Sequence, residues 1–227
     1  MKITFFGQAC FLFETKKAKI IIDPWLKSNP LYTKELKDVP KLDVVLVTHA
    51  HGDHIGDTIE LAKRDDALII VNSELGQIFD SKYPGLMIHT MHIGGSHQFS
   101  FGDVKMTPAL HGSGFSEAGH MYDGGLACGY LLTLEGHKIY HAGDTGLSVE
   151  MSLLKEENID LAILPIGGNY TMDVKDAIRA INMIQPKKVI PMHYYTFVLI
   201  MADPKEMKSS PQDTEIVIMY PMETISI

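Results

Sequence analysis

The stretch that decides the fold is residues 42–54, which read LDVVLVTHAHGDH. Its first six residues are almost all apolar, a composition typical of a strand buried on both faces. In extended backbone, side chains two positions apart point to the same face, so His49 and His51 can reach one metal ion together. Asp53 and His54 follow where the chain is expected to turn into a helix, and they can face a second ion. A solvated polar loop would use serine, asparagine or lysine more often than these ligand types.

Three more ligand-type residues stand in short motifs further along the chain. His111 lies within ALHGSG, Asp144 within YHAGDTG and His193 within IPMHY. Asp23 ends an early strand directly before Pro24. Asp23 could support the ligand residues, or it could simply belong to a turn, where aspartate is common, and both interpretations stay open.

The H-x-H-x-D-H pattern and these later motifs resemble the metallo-β-lactamase superfamily over essentially the whole chain. More narrowly, the chain is similar to small metal-dependent hydrolases akin to the L-ascorbate-6-phosphate lactonases. Residues 91–96 (MHIGGS), 141–146 (HAGDTG) and 165–169 (PIGGN) carry that similarity. The resemblance implies a prokaryotic origin and an α+β fold, the four-layer αββα sandwich of the metallo-hydrolases, as a single domain over residues 1–227.

The resemblance also implies two divalent metal ions with separate ligand sets. The first set is His49, His51 and His111. The second set is Asp53, His54 and His193. Asp144 would bridge the two ions, and Asp23 would accept a hydrogen bond from a ligand histidine and fix its tautomer. Zinc is expected first, with manganese, iron and nickel as alternatives.

A hydrolase of this kind uses water that two metal ions activate near neutral pH. Asp53 and Asp144 are the expected catalytic carboxylates, with Asp53 either accepting the proton of the attacking water or only binding metal. Relatives tend to have Gly-His near the first turn, where this chain has Gly7-Gln8. Glutamine forms hydrogen bonds but cannot shuttle a proton near neutral pH, so any such role is missing or reassigned here.

The fold does not fix the substrate, because one fold hosts many chemistries. We expect a small anionic ester or lactone, with Asn169, Tyr194 and Phe197 as substrate contacts. A phosphodiester such as a nucleotide is the alternative, and a non-catalytic, metal-stabilised binding protein is the second. A redox di-iron protein would be expected to replace His51 by a carboxylate. β-Lactam antibiotics are disfavoured because no secretion signal is evident at residues 1–6.

Charge and composition limit which partners and which cellular location can be expected. The net charge of −8 offers no basic face for a nucleic-acid backbone, so no nucleic acid is expected. Apolar runs are too short to span a membrane, and a cytoplasmic location is expected. The two cysteines, Cys10 and Cys128, lie in apolar runs typical of buried free thiols. The apolar segment 194–201 predicts either a buried strand or a pocket wall partly covered by another subunit of a homo-oligomer.

Hydrophobic periodicity predicts the remaining elements. Strands are expected along residues 2–23, 86–108, 128–141 and 161–165, with a hairpin turn at Glu135-Gly136. Helices are expected over 54–64, 147–156 and 174–184. His89, His97 and His137 fit surface or structural positions, whereas His92 and His141 stand beside motif segments and could support the site. His120 lies in a glycine-rich loop that either covers the pocket or is plain surface.

Overall fold

The computed structural model describes residues 1–117, 119–209 and 213–227. Its strands are β1 (Lys2–Gly7), β2 (Cys10–Glu14), β3 (Lys19–Ile22), β4 (Val44–Leu46), β5 (Leu68–Asn72), β6 (Ile88–Met91), β7 (Ser96–Phe99), β8 (Gly102–Pro108), β9 (Gly114–Glu117), β10 (His120–Asp123), β11 (Cys128–Leu134), β12 (His137–His141), β13 (Leu161–Pro165), β14 (Lys188–Met192), β15 (Glu215–Ile216) and β16 (Thr224–Ser226). Its α-helices are α1 (Gly52–Ile55), α2 (Thr58–Asp65), α3 (Ser73–Lys82) and α4 (Val174–Ile184). Short 3-10 helices cover Leu36–Asp38, Val149–Glu157, Val198–Ile200 and Pro204–Ser209.

The strands form two mixed sheets and one small hairpin. The first sheet has the order β16-β1-β2-β3-β4-β5-β6, and the second has the order β15-β14-β13-β12-β11-β8-β7. In the first sheet β3 to β6 run parallel, and in the second β12 to β15 do. Strands β9 and β10 pair with each other outside both sheets.

Three apolar layers follow from the alternation of side chains along the strands. In β3, Ile20 and Ile22 face a central layer between the two sheets, while Ile21 faces the layer beneath α2 and α3. In β12, Ile139 joins the central layer and Tyr140 joins the layer beneath α4. Helices therefore cover the outer face of each sheet, and the predicted four-layer αββα sandwich is confirmed.

Several predicted elements match the structure closely, and two differ. Strand β13 and helix α4 have the predicted bounds. The helix expected over 54–64 is split into α1 and α2 at Gly56, which has a φ of +42°. A Cβ atom on Gly56 would lie 2.5 Å from the carbonyl oxygen of Pro24, so the chain packs too tightly there for a continuous helix. The segment expected as an α-helix over 147–156 is the 3-10 helix Val149–Glu157.

Two smaller predictions concern cysteines and a turn. Cys10 and Cys128 are buried free thiols, as predicted. Glu135 and Gly136 have φ values of +52° and +86°, which suits the hairpin turn predicted between β11 and β12. No helix among the described residues is long and apolar enough to cross a membrane.

Candidate metal centre

The seven predicted ligands come from four loops that meet at one edge of the sandwich. Residues 49–54 follow β4, His111 follows β8, Asp144 follows β12 and His193 follows β14. Three overlapping groups have ligand atoms within 4.8 Å of one another: His49-His51-His111, His49-His54-Asp144 and Asp53-His54-His193. The structure thus brings together residues from distant parts of the chain.

The first group is three imidazoles that turn nitrogen atoms toward one another. The Nδ1 atom of His51 lies 2.9 Å from Nε2 of His49 and 3.2 Å from Nε2 of His111. For metal–nitrogen bonds of about 2.0–2.1 Å, such spacings correspond to nitrogen–metal–nitrogen angles of roughly 90–105°. The spacing therefore fits three nitrogen ligands of a single divalent ion.

The second group surrounds the buried carboxylate of Asp144. Its Oδ2 atom lies 2.9 Å from Nε2 of His193, 3.3 Å from Nε2 of His54 and 3.6 Å from Nε2 of His111. The Oδ2 atom of Asp53 lies 3.6 Å from Nε2 of His54 and 3.8 Å from Nε2 of His193. Asp144 therefore contacts imidazoles from both of the predicted ligand sets.

Asp23 fixes how two of these histidines carry their protons. Its buried carboxylate accepts hydrogen bonds from the Thr48 backbone N–H, the Thr48 hydroxyl and Nδ1–H of His54, at 2.8, 2.7 and 2.7 Å. Because the Thr48 hydroxyl donates to Asp23, its oxygen can accept from Nδ1–H of His49, 3.0 Å away. Both histidines then carry the proton on Nδ1 and turn an Nε2 lone pair toward the cluster, as metal ligands do. Thr48 was missed by sequence reasoning.

Buried polar atoms without hydrogen bonds lie in the same cluster. They include Nε2 of His54 and Oδ1 of Asp144. Leaving such atoms unpaired costs free energy, and native structures usually provide a partner. The donor set of imidazole nitrogens and carboxylate oxygens, with unpaired atoms among them, fits divalent metal ions.

Electrostatics divides the histidines into two kinds. Burial lowers the pKa values of His49, His51 and His111, which favours the neutral imidazole that binds metal. Burial opposes protonation of His54 too, but the carboxylates of Asp144, Asp23 and Asp53 raise its pKa well above the ordinary value. The pKa of Asp144 is lowered despite burial, because His54 and His193 stabilise the carboxylate.

Strained backbone positions support the loops that carry these residues. Gln8, Asp23 and His193 have φ values of +57°, +48° and +60°, a region that side chains other than glycine seldom occupy. Such conformations persist only where surrounding contacts fix them, and they cluster at functional sites. Before Asp144, Gly143 has a φ of +62°, and a Cβ there would lie 2.5 Å from the Cys128 carbonyl oxygen.

Gln8 joins two parts of the site. It is fully buried, and its side-chain amide donates to Oδ2 of Asp53 at 2.8 Å. Its side-chain oxygen accepts from the hydroxyl of Thr196, and its backbone oxygen accepts from the N–H of His193 at 2.8 Å. The sequence singled out Gln8 as a departure from relatives, but its contacts with Asp53 and Thr196 could not be read from it.

A cavity of about 490 Å³ opens beside the cluster. Besides five of the predicted ligands, it is lined by Tyr170, Phe197, Val198 and Leu199. Phe197 therefore lies where it was predicted, and segment 194–201 is not a buried strand.

Two other predicted substrate contacts lie elsewhere. Tyr194 is buried, and its hydroxyl donates to the Met219 carbonyl oxygen at 3.3 Å, beside a different cavity. Asn169 is exposed and does not line the metal-site cavity, whereas its neighbour Tyr170 does. These two predictions require correction on geometric grounds, because the turn at residues 167–172 presents the tyrosine to the cavity and the strained backbone at His193 directs Tyr194 inward.

The remaining histidines separate clearly. His141 is fully buried; its Nδ1 accepts from the Gly143 N–H at 3.2 Å and its Nε2 lies 3.0 Å from the Ala9 carbonyl oxygen. It thus supports the turn that presents Asp144. His92 is exposed, and His120 is an exposed residue of β10 and not part of an irregular loop.

Comparison with known proteins gives concordant matches. Residues 18–194 match a family model described as "Beta-lactamase superfamily domain". Metal-dependent hydrolases of Natranaerobius thermophilus and Pelotomaculum thermopropionicum are 43% and 45% identical, with the whole of each chain covered. Among solved structures, Igni18, a metallo hydrolase of Ignicoccus hospitalis, is 37% identical with a TM-score of 0.88, covering 99% of this chain and 97% of that one.

Proposed function

This chain belongs to the metallo-β-lactamase superfamily and is a metal-dependent hydrolase, and from that premise we propose that it hydrolyses a small anionic ester or lactone at two divalent metal ions. The observation that carries the proposal is the convergence of seven ligand-type side chains in one cluster, five of which line a cavity, with the Nε2 atoms of His49 and His54 turned inward. Zinc is the proposed metal, with manganese, iron or nickel as alternatives. A cytoplasmic location and a homo-oligomer stay predictions.

The ligand assignment follows the two groups in the cluster. His49, His51 and His111 would hold one ion, and Asp53, His54 and His193 the other. Asp144, which has imidazoles of both groups within 3.6 Å of its Oδ2 atom, would serve both ions. Asp23 would act through His49 and His54 by holding their protons on Nδ1.

Bound divalent ions would lower the pKa of water toward neutrality and polarise the scissile carbonyl group. Both carboxylates line the cavity, but Asp53 is the better placed to accept the proton of the attacking water, because its side chain is 22% exposed against 3% for Asp144 and Gln8 holds its Oδ2 atom. The hydrogen bond from Gln8 leaves the Oδ1 atom of Asp53 for that proton. Asp144 is buried beneath the imidazoles and would orient them.

The lining of the cavity favours an ester or lactone over a nucleotide phosphodiester. The polar, anionic end of the substrate would face the histidine and aspartate groups. The rest of the cavity lining consists of Tyr170, Phe197, Val198 and Leu199, which suit a hydrocarbon portion better than a charged sugar-phosphate chain.

The proposal is tested on protein purified without chelators. Elemental analysis is expected to find about two divalent ions per chain, and a screen of lactones, esters and phosphodiesters is expected to give turnover of the first two classes. The matched variant is Asp144→Asn, which keeps the shape of the side chain, removes its charge and is expected to lose turnover. Metal-free protein after native purification, or equal turnover by Asp144→Asn, would contradict the proposal. Turnover of phosphodiesters alone would agree with the proposed metal centre but would reject esters and lactones as the substrate class.

A further inference from the structure

The cavity beside the candidate metal centre is lined by two chemically different groups of residues. Five carry imidazole or carboxylate groups, and the other four, here called the apolar wall, are Tyr170, Phe197, Val198 and Leu199. We infer that the substrate carries, remote from its scissile bond, an alkyl or aryl group that packs against the apolar wall. The inference rests on the proposed function and narrows its substrate class to esters or lactones with a hydrophobic arm.

The apolar wall is unusually exposed for its composition. Val198 is 90% exposed, Leu199 58% and Phe197 39%. Burial of such side chains is favourable, so their joint exposure at the rim of a cavity forgoes stabilisation that the fold could otherwise gain. Contiguous exposed apolar side chains of this kind mark binding surfaces, whereas isolated ones need no explanation.

The apolar wall is also fixed in place from below. Ile200 is fully buried next to Gly167, and its backbone bonds with Phe197 and Tyr195 close the short 3-10 helix at 3.0 and 2.9 Å. The Phe197 ring stacks on Trp25, with 5.6 Å between ring centroids and 28° between planes. A wall held in this way loses little conformational entropy when it binds a ligand, so its apolar contacts translate into affinity.

The same geometry sets the size of the expected effect. Complete burial of a methylene group gives about 0.8 kcal/mol, or roughly fourfold in affinity. The apolar wall covers only one side of the hydrocarbon, so about twofold per methylene is expected here. A ligand with a metal-binding head and a growing alkyl tail should therefore bind in steps that follow its tail length.

Alkyl hydroxamates provide such probes, because the head binds divalent metal and the tail is varied independently. Binding of acetohydroxamate, butanohydroxamate, hexanohydroxamate and octanohydroxamate to the metal-loaded protein is followed by fluorescence of Trp25. Trp25 is the only tryptophan in the chain and stacks on Phe197. From the shortest to the longest probe, affinity is expected to rise on the order of 50-fold.

A matched pair of double variants locates the effect. Val198→Ser with Leu199→Ser should reduce the gain to about sevenfold and leave acetohydroxamate affinity unchanged, because two of the four residues of the apolar wall lose their apolar side chains. Val149→Ser with Leu126→Ser replaces the same residue types at positions 78% and 71% exposed and outside the cavity lining, and should keep the full gain.

The outcomes distinguish a failure of the hydrophobic-arm inference from a failure of the proposed function. If acetohydroxamate binds but longer tails add nothing, the hydrophobic arm is rejected and the metal-centre proposal stands. If no hydroxamate binds to protein incubated with metal, the proposed function fails and the inference fails with it. If the wall variant keeps its full gain but sediments as a smaller species, the apolar wall is a contact between subunits, and the substrate assignment is overturned.

Discussion

Replacing Asp23 by asparagine tests how the protein prepares its ligands. Asp23 is fully buried and accepts three hydrogen bonds, two from Thr48 and one from Nδ1–H of His54. In Asp23→Asn, the remaining oxygen can keep the bond from the Thr48 backbone. The new NH₂ group then faces Nδ1 of His54 as a donor against a donor. The imidazole escapes this conflict only by giving up the proton on Nδ1, so that any remaining proton lies on Nε2, the atom that faces the metal cluster.

The magnitude follows from these contacts. Two hydrogen bonds to a buried charge are lost, each contributing about 1.5–3 kcal/mol. A tautomer change recovers part of this, so the metal-free variant should lose about 3 kcal/mol in free energy of unfolding. Metal binding must then also reverse the tautomer of His54, and losses of a supporting carboxylate of this kind typically weaken metal affinity by about 10–100-fold.

Two measurements separate stability from tautomer control. Urea unfolding in the presence of EDTA gives the stability of the metal-free protein, and competition with a chromophoric chelator gives metal affinity. Asp43→Asn is the control, because Asp43 also accepts a backbone hydrogen bond, from Lys19 at 2.8 Å, but is exposed and remote from the cluster. Wild-type metal affinity in folded Asp23→Asn would refute the idea that Asp23 sets the tautomer of His54.

Further predictions concern a ligand, the pH dependence and the break between α1 and α2. Asp144→Ala and His51→Ala should each abolish hydrolysis and lower metal content while circular dichroism stays native; full activity in either would refute a two-ion mechanism. Burial lowers the pKa values of His49, His51, His111 and His141, while Asp144 raises that of His54 despite its burial. Unfolded histidines titrate near 6.5. Below that pH, unfolding of the metal-free protein therefore adds protons to the four histidines with lowered pKa values, which outweighs the opposite contribution of His54. The free energy of unfolding should fall by roughly 1–3 kcal/mol as the pH falls from about 7 to 5.5, and a value from urea unfolding that stays flat or rises would contradict this. Gly56→Ala should cost about 2–3 kcal/mol in the same assay, because its Cβ would meet the Pro24 carbonyl oxygen at 2.5 Å. Gly52→Ala, with nothing within 4 Å of its Cβ, is the control and should change stability far less.

The candidate ligands could be predicted from the sequence because their signal is local. His49, His51, Asp53 and His54 follow a buried strand at spacings that backbone geometry translates directly into direction. Strand β13 and helix α4 could also be predicted, because the strand is a continuous apolar run and the helix has apolar residues at helical spacing. The split between α1 and α2 was not readable, because it depends on the close approach of Gly56 to Pro24, a contact between separate loops.

Which aromatic side chains face the cavity could not be predicted from the local sequence. The position of segment 194–201 beside the candidate metal centre could be expected from the sequence, because the segment follows His193. Which of its residues face the cavity depends on two left-handed backbone positions, His193 and Tyr195, with φ values of +60° and +63°. These break the alternation that a strand would give, so Tyr194 turns inward and Phe197 reaches the cavity.

Gln8 and Thr48 show a further limit, since each acts through contacts with residues that are distant in the sequence. The side chain of Gln8 links Asp53, on the loop after β4, to Thr196, on the loop after β14. Those loops belong to different sheets, so one buried amide ties together the two halves of the sandwich where the proposed proton acceptor meets the apolar wall. A histidine in that place could exchange a proton with Asp53, whereas glutamine can only hold it. In the proposed mechanism, the glutamine would leave proton transfer to Asp53, and residue 8 would act only by holding Asp53 and Thr196 in place.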